Sequence, residues 1–254
     1  SSRIVRRYIS VVSIRSVISS LGTGSDKSFP AYLLATTHGR GPSPRRPTIG
    51  HMAHVTLPRE ILPTDGRFGC GPSKVRGDQL ASLVGPGSVL MGTSHRQAPI
   101  KSLVGEVRGG LSDLLRLPDG YEIIVGNGGS TAFWDAASFG LIEKRAQNLV
   151  FGEFGGKFAG AAAAPWLEAP DVRKAEPGSS IAAEPVEGVD VYAWPHNETS
   201  TGVATAITRV VGDEGALTVI DATSAAGGIN FTVSESDVYY FAPQKNLGSD
   251  GGLW

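Results

Sequence analysis

Between residues 98 and 117 apolar side chains return at Ile100, Leu103, Val104, Val107, Leu111, Leu114 and Leu115. Steps of three and four place them on one stripe, so the segment is predicted as an amphipathic helix. Gly109-Gly110 weakens it locally, and Pro118-Asp119-Gly120 reads as the turn that follows. The period then changes. Residues 121–125, 149–151, 189–194, 217–221 and 238–241 are short runs rich in β-branched and aromatic residues and are predicted as strands. Helical patterns over 131–142 and 154–164 lie between the earlier ones. The Pro- and Glu-rich stretch 165–188 is predicted as an irregular connection, and residues 57–74 as extended chain. Strand and helix in alternation predict an α/β fold with a largely parallel sheet, whose ligands bind at the carboxyl ends of the strands.

Composition changes this picture at one end. Apolar residues make up 41% of the 254 and charged residues 19%, enough for a sizeable core. The net charge of −1 hides an asymmetry: residues 1–51 hold eight Lys/Arg and one acid, leaving a formal −8 on residues 52–254. An acidic body argues against a nucleic-acid partner. Residues 1–51 are Ser- and Arg-rich and end in a run dense with Gly and Pro. They are predicted to be a mostly unstructured or non-native extension, with at best a transient helix over 4–20; the competing reading is a targeting peptide. Residues 52–254 are then one incomplete large domain. The single cysteine, Cys70, excludes an internal disulfide and points to a reducing compartment. No apolar run reaches the roughly 18–20 residues of a membrane span. The chain stops at Trp254 without a helix stop or polar tail, which reads as a cut.

Five places could carry chemistry. Gly126-Asn127-Gly128-Gly129-Ser130-Thr131 joins a predicted strand to a helix. Its glycines let backbone approach a ligand, and the helix start offers N–H groups to an anion; the plainer reading is a capped turn. Asp221 ends the strand 217–221, where it could pair with a protonated ring nitrogen or cap the turn after it. Lys245 follows an apolar strand, which favours the neutral, nucleophilic amine; the plainer reading is a surface lysine. His95-Arg96 could take a phosphate or carboxylate, or stand in a solvated turn. His196-Asn197-Glu198-Thr199 could bond a ligand or close a turn. An anion cradle, a strand-end acid and a strand-end lysine in this order are what pyridoxal phosphate needs.

The segments 65–74, 92–97, 126–137, 196–203, 220–228 and 241–254 resemble the phosphoserine aminotransferase family, most specifically in Ala242-Pro243-Gln244-Lys245-Asn246 and His196-Asn197-Glu198-Thr199-Ser200-Thr201-Gly202. The resemblance runs from about residue 57 to 254. It implies the three-layer α/β/α large domain of the fold-type I, class V aminotransferases, with the C-terminal small domain absent. It implies pyridoxal 5'-phosphate, held covalently by Lys245. Ser130 and Thr131 would bind its phosphate, Phe154 would stack on the ring, Thr199 would bond the ring oxygen, Asp221 the ring nitrogen, and Gln244 would touch the cofactor beside the lysine. Arg96 with His95 would hold a substrate anion. The implied reaction moves an amino group from L-glutamate to 3-phosphohydroxypyruvate, in serine and in some lineages pyridoxine biosynthesis, in a cytoplasmic homodimer. Cys70 departs from the family, which has serine before this Gly-Pro. The alternatives are another class V enzyme, of the serine–glyoxylate aminotransferase or cysteine desulfurase type, and an inactive α/β fragment.

Overall fold

The computed structural model describes residues 7–10, 57–63, 65 and 69–254. The chain divides into two compact units, 1–15 with 68–254, and 16–67. Within the second unit the described residues form one 3-10 turn, Arg59–Ile61.

Among the described residues the first unit is built on a sheet of seven strands, all parallel to their neighbours. In chain order they are β1 (Arg7–Ser10), β2 (Tyr121–Ile124), β3 (Ala146–Val150), β4 (Asp171–Lys174), β5 (Val191–Pro195), β8 (Leu217–Asp221) and β9 (Val238–Tyr240). Across the sheet they run β2-β1-β9-β8-β5-β3-β4. Two further short strands, β6 (Asn197–Glu198) and β7 (Val203–Ala204), pair antiparallel as a hairpin beyond the end of β5. The helices are α1 (Gly77–Val84), α2 (Ala98–Leu115), α3 (Gly129–Gly140) and α4 (Glu153–Ala162).

Successive strand residues point to opposite faces, and the core divides accordingly. Val191, Ala193, Val219, Val238 and Tyr240 pack with Phe133, Trp134 and Ala137 of α3 and Phe158 and Ala162 of α4. Tyr192, Trp194, Ile220 and Tyr239 face the other way, in the cluster that holds Leu111 of α2 and Val233. The interior strand β5 is buried along its whole length. This is why its sequence shows no polar alternation, as expected when helices cover both faces of a parallel sheet. The layers are therefore helix, sheet and helix, as the sequence predicted.

Two expectations need correction. The stretch 165–188 is not wholly irregular, because Asp171–Lys174 adds β4 to the sheet edge beside β3. An edge strand needs one hydrogen-bonded side and little apolar surface, so Asp-Val-Arg-Lys carries almost no strand signal. The expected helix over 4–20 is not what Arg7–Ser10 forms, since these residues fill the slot between β2 and β9. There the strand satisfies backbone groups on both neighbours, which a helix does not do. The rest of residues 1–51 lies outside the described residues.

Candidate active site

Apart from His95 and Arg96, the polar residues singled out above lie at the ends of β2, β5, β8 and β9 or on the segments that follow them. After β2 the chain turns through Gly126-Asn127-Gly128-Gly129 into α3. Gly128 has φ 106° and Gly129 φ 72°, in the left-handed region that favours glycine. Gly126 has another reason to lack a side chain: a Cβ there would lie 2.2 Å from the Trp254 ring. Trp254 and Gly126 exchange two backbone hydrogen bonds, of 2.8 and 2.9 Å, which pins this loop. The first turn of α3 then points backbone N–H groups at the space before it, with Ser130 beside them, as an anion site requires. Thr131 is in the same turn and exposed.

Asp221, the last residue of β8, is 7% exposed. Its Oδ1 accepts the Thr223 N–H at 2.9 Å and the Thr223 hydroxyl at 2.6 Å. The Tyr240 hydroxyl bonds the same carboxylate and accepts the Trp134 indole N–H at 2.7 Å. Burial pushes the Asp221 carboxyl above the usual carboxylate range; the Thr223 and Tyr240 hydrogen bonds pull it down, and the charge of Glu198 pushes it further up. Among the described residues Asp221 makes no ion pair. A buried carboxylate with donors but no cation is an unbalanced charge, and a protonated ring nitrogen would balance it. The same carboxylate is tied to the α3 start, because the Thr223 hydroxyl lies 2.6 Å from that of Ser130.

A second knot lies beside it. The Ser224 hydroxyl accepts from Thr199 Oγ1 at 2.7 Å and from Asn197 Nδ2 at 2.8 Å. Glu198, between those two residues, is fully buried. Its Oε2 accepts the N–H groups of Phe154 and Gly155 at 3.0 and 2.9 Å, so it caps α4. Its Oε1 accepts from Ser200 N and Oγ. One carboxylate thus fixes both the helix start that carries Phe154 and the hairpin that carries Thr199. Phe154 is half-buried, with Lys157 Nζ 5.4 Å from its ring centre.

Lys245 follows β9. Its Nζ donates to the Cys70 carbonyl at 2.9 Å. The loop 70–73 is laced to it further, since the Ser73 hydroxyl donates to the Lys245 carbonyl at 2.5 Å and Ser73 N to that of Gln244 at 2.7 Å. Gly71, at φ 119°, permits this closeness: a Cβ there would sit 2.5 Å from Lys245 Cδ. Asn246 joins the lysine loop to the second knot by donating to the Ser224 carbonyl at 3.1 Å. Gln244 Oε1 is buried with no partner. A side-chain amide can be turned end for end, so either end is available to a ligand.

The structure therefore ties Ser130 to Asp221 by hydrogen bonds, and joins Thr199 to the loop that carries Lys245 through Ser224 and Asn246. His95 and Arg96 stand apart from this net. Both are exposed on the turn before α2, where the Arg96 N–H bonds Ser94 Oγ at 3.3 Å. Thr223, Ser224, Tyr240 and the capping role of Glu198 escaped the sequence reading. Their partners lie between 19 and 106 positions away, apart from the bond of Thr223 to Asp221. The Asp-x-Thr-Ser spacing was the one local signal.

The fold is shared with about half of the chain in solved aminotransferase structures. It superposes on the phosphoserine aminotransferase of Cytophaga hutchinsonii with a TM-score of 0.64 at 24% identity, covering 72% of this chain and 53% of that one. The corresponding values for the pyridoxal-phosphate-bound phosphoserine aminotransferase of Trichomonas vaginalis are 0.56, 21%, 73% and 55%. A family model described as aminotransferase class-V matches residues 179–252.

Sequence likeness to curated proteins is higher. The chain is 58% identical over 203 residues to the phosphoserine aminotransferase of a Nocardioides species, covering 79% of this chain and 54% of that protein. It is 58% identical over 201 residues to a putative phosphoserine aminotransferase of Mycobacterium leprae, with the same coverage. The resemblance read from the sequence is borne out, and the chain spans about half the length of these curated relatives. Among the described residues no helix is long and apolar enough to cross a membrane.

Proposed function

We propose that this chain is the cofactor-carrying part of a phosphoserine transaminase. The observation that carries the reading is Asp221, a buried carboxylate with no ion pair among the described residues, hydrogen-bonded through Thr223 to Ser130 at a glycine-led helix start. A ligand with a protonated ring nitrogen at one end and a phosphate at the other suits both ends of that arrangement. Pyridoxal 5'-phosphate is such a ligand, and when bound it supplies an electron sink for the bond broken at the amino acid's α-carbon.

The protein's own groups do the rest. The first turn of α3, with Ser130 and Thr131, holds the phosphate, and Asp221 keeps the proton on the ring nitrogen. Thr199 donates to the ring oxygen by releasing Ser224. Phe154, set by the Glu198 cap, covers the ring, and Gln244 closes the site with its unpartnered amide oxygen. Lys245 Nζ holds the cofactor covalently at rest. Its free amine would serve as the base at the substrate's α-carbon. Lys245 must give up the Cys70 carbonyl to do so, so the loop 70–73 gates the amine. His95 and Arg96 take the substrate's second anion, which a small uncharged substrate lacks. Overall L-glutamate and 3-phosphohydroxypyruvate become 2-oxoglutarate and O-phospho-L-serine, a step of serine biosynthesis. The assembly is a homodimer working in the cytoplasm, in keeping with the single free cysteine.

The test is a titration of the chain with pyridoxal 5'-phosphate, followed by absorbance. A saturable visible band that O-phospho-L-serine bleaches and L-serine leaves unchanged supports the reading. No band, or equal bleaching by both, overturns the cofactor or the substrate assignment respectively.

A further inference from the structure

We infer that Thr223 is a positioning residue that couples an anion at the start of α3 to the Asp221 carboxylate through one chain of hydroxyl protons. The inference rests on the cofactor reading above and deepens it.

A hydroxyl has one hydrogen to donate and two lone pairs to accept with. Thr223 Oγ1 makes two contacts of 2.6 Å, one to Asp221 Oδ1 and one to Ser130 Oγ. Contacts this short each need a hydrogen between the oxygens. The ionised carboxylate has none to give, so Thr223 donates to Asp221 and accepts from Ser130. The hydrogen of Ser130 is then committed, and toward the helix start Ser130 shows lone pairs, which repel an anion's oxygens.

An arriving phosphate reverses the chain. Ser130 turns its hydrogen to the anion, and its contact with Thr223 survives when Thr223 turns its own hydrogen to Ser130. Asp221 then loses one donor while keeping the Thr223 N–H and the Tyr240 hydroxyl. With less of its charge compensated by neutral donors, Asp221 holds a proton-bearing ring nitrogen more tightly. Anion and ring cation favour each other, and the coupling is reciprocal. The Thr223–Asp221 contact, left without a hydrogen, lengthens from its 2.6 Å. Thr223 is part-buried and adjoins Ser224, so the relay lies between the two knots of the site.

The experiment separates the two halves of the ligand. Dissociation constants of pyridoxal, which lacks the phosphate, are measured on the 254-residue chain with and without saturating inorganic phosphate. The same is done for Thr223→Val, Thr223→Ser and Ser130→Ala. Inorganic phosphate is expected to tighten pyridoxal binding at least about fivefold in the wild type and in Thr223→Ser. The effect is expected to vanish in Thr223→Val, which keeps the shape without the hydroxyl, and in Ser130→Ala, which leaves the partly buried core around Thr223 intact. A purely structural Thr223 would weaken pyridoxal binding in Thr223→Val and leave the phosphate effect unchanged, and that result overturns the inference alone. A wild-type chain that binds pyridoxal with no response to phosphate overturns it too. A wild-type chain that fails to bind pyridoxal overturns the cofactor reading and the inference together.

Discussion

Truncating Glu198 should unseat one whole side of the site at a cost that can be worked from its bonds. The carboxylate accepts four hydrogen bonds, two from the first-turn N–H groups of α4 and two from Ser200. In Glu198→Ala the N–H of Gly155 is left buried without a partner, at about 1–3 kcal/mol. The N–H of half-buried Phe154 regains water in part, and loss of a cap costs about 1 kcal/mol. Against this, removing a desolvated charge close to Asp221 returns some free energy. The net loss comes to about 3 kcal/mol, a large share of the roughly 5–15 kcal/mol of a typical domain. At about 2–4 °C per kcal/mol for a chain of this size, the melting temperature should fall by roughly 6–12 °C. Urea unfolding followed by tryptophan fluorescence gives the free energy, and amide hydrogen exchange locates it at Phe154 and Gly155. Glu198→Gln keeps one acceptor oxygen for the two helix amides and should cost less. Gly152→Ala should reproduce the defect, because its Cβ would lie 2.3 Å from Glu198 Cγ. A loss below about 1 kcal/mol, with both amides still protected, would refute the capping role.

Three further outcomes are expected. The Asp221 carboxyl is raised in the fold, so the folded chain binds its proton more readily than the unfolded chain and stability falls as pH rises from about 4 through that window. Asp221→Asn should therefore make the cofactor-free chain more resistant to urea at pH 7 and flatten that slope, while abolishing tight cofactor binding; a less stable variant would contradict the unbalanced charge. His196 is lowered by burial, so the unfolded chain takes up a proton first and stability should drop as pH falls below about 6.5. His196→Asn should remove that drop in urea midpoints measured between pH 7.5 and 5.5, and an unchanged slope would assign it elsewhere. Gly126→Ala should displace Trp254 from its edge contact with Phe133, lowering the melting temperature and altering tryptophan emission; unaltered emission would show that the loop yields instead.

Much of this architecture was legible in the residues. Leu217-Thr218-Val219-Ile220-Asp221 is a strand over the residues predicted, because a buried parallel strand concentrates β-branched side chains and ends at its first acid. The glycine loop before α3 was legible because left-handed turns demand glycine. Other features depend on the partner strand or segment, which local sequence does not contain. The strand β4 has one apolar residue in four and was invisible for that reason. Glu198 looked like a turn residue, yet its acceptors meet amides 43 and 44 positions earlier. Thr223 was passed over because its partner Ser130 lies 93 positions away. His95-Arg96 was read from its chemistry and from the family resemblance, and both residues lie exposed on the turn before α2.

The central claim is that Lys245 stands at a pyridoxal-phosphate site, and covalent trapping tests it most directly. The chain is loaded with pyridoxal 5'-phosphate, reduced with borohydride, digested, and its peptides are weighed by mass spectrometry. The account predicts one phosphopyridoxyl group, on Lys245, and none on that peptide in Lys245→Ala. Label spread over surface lysines, or carried by another lysine while Lys245 stays unmodified, would contradict it.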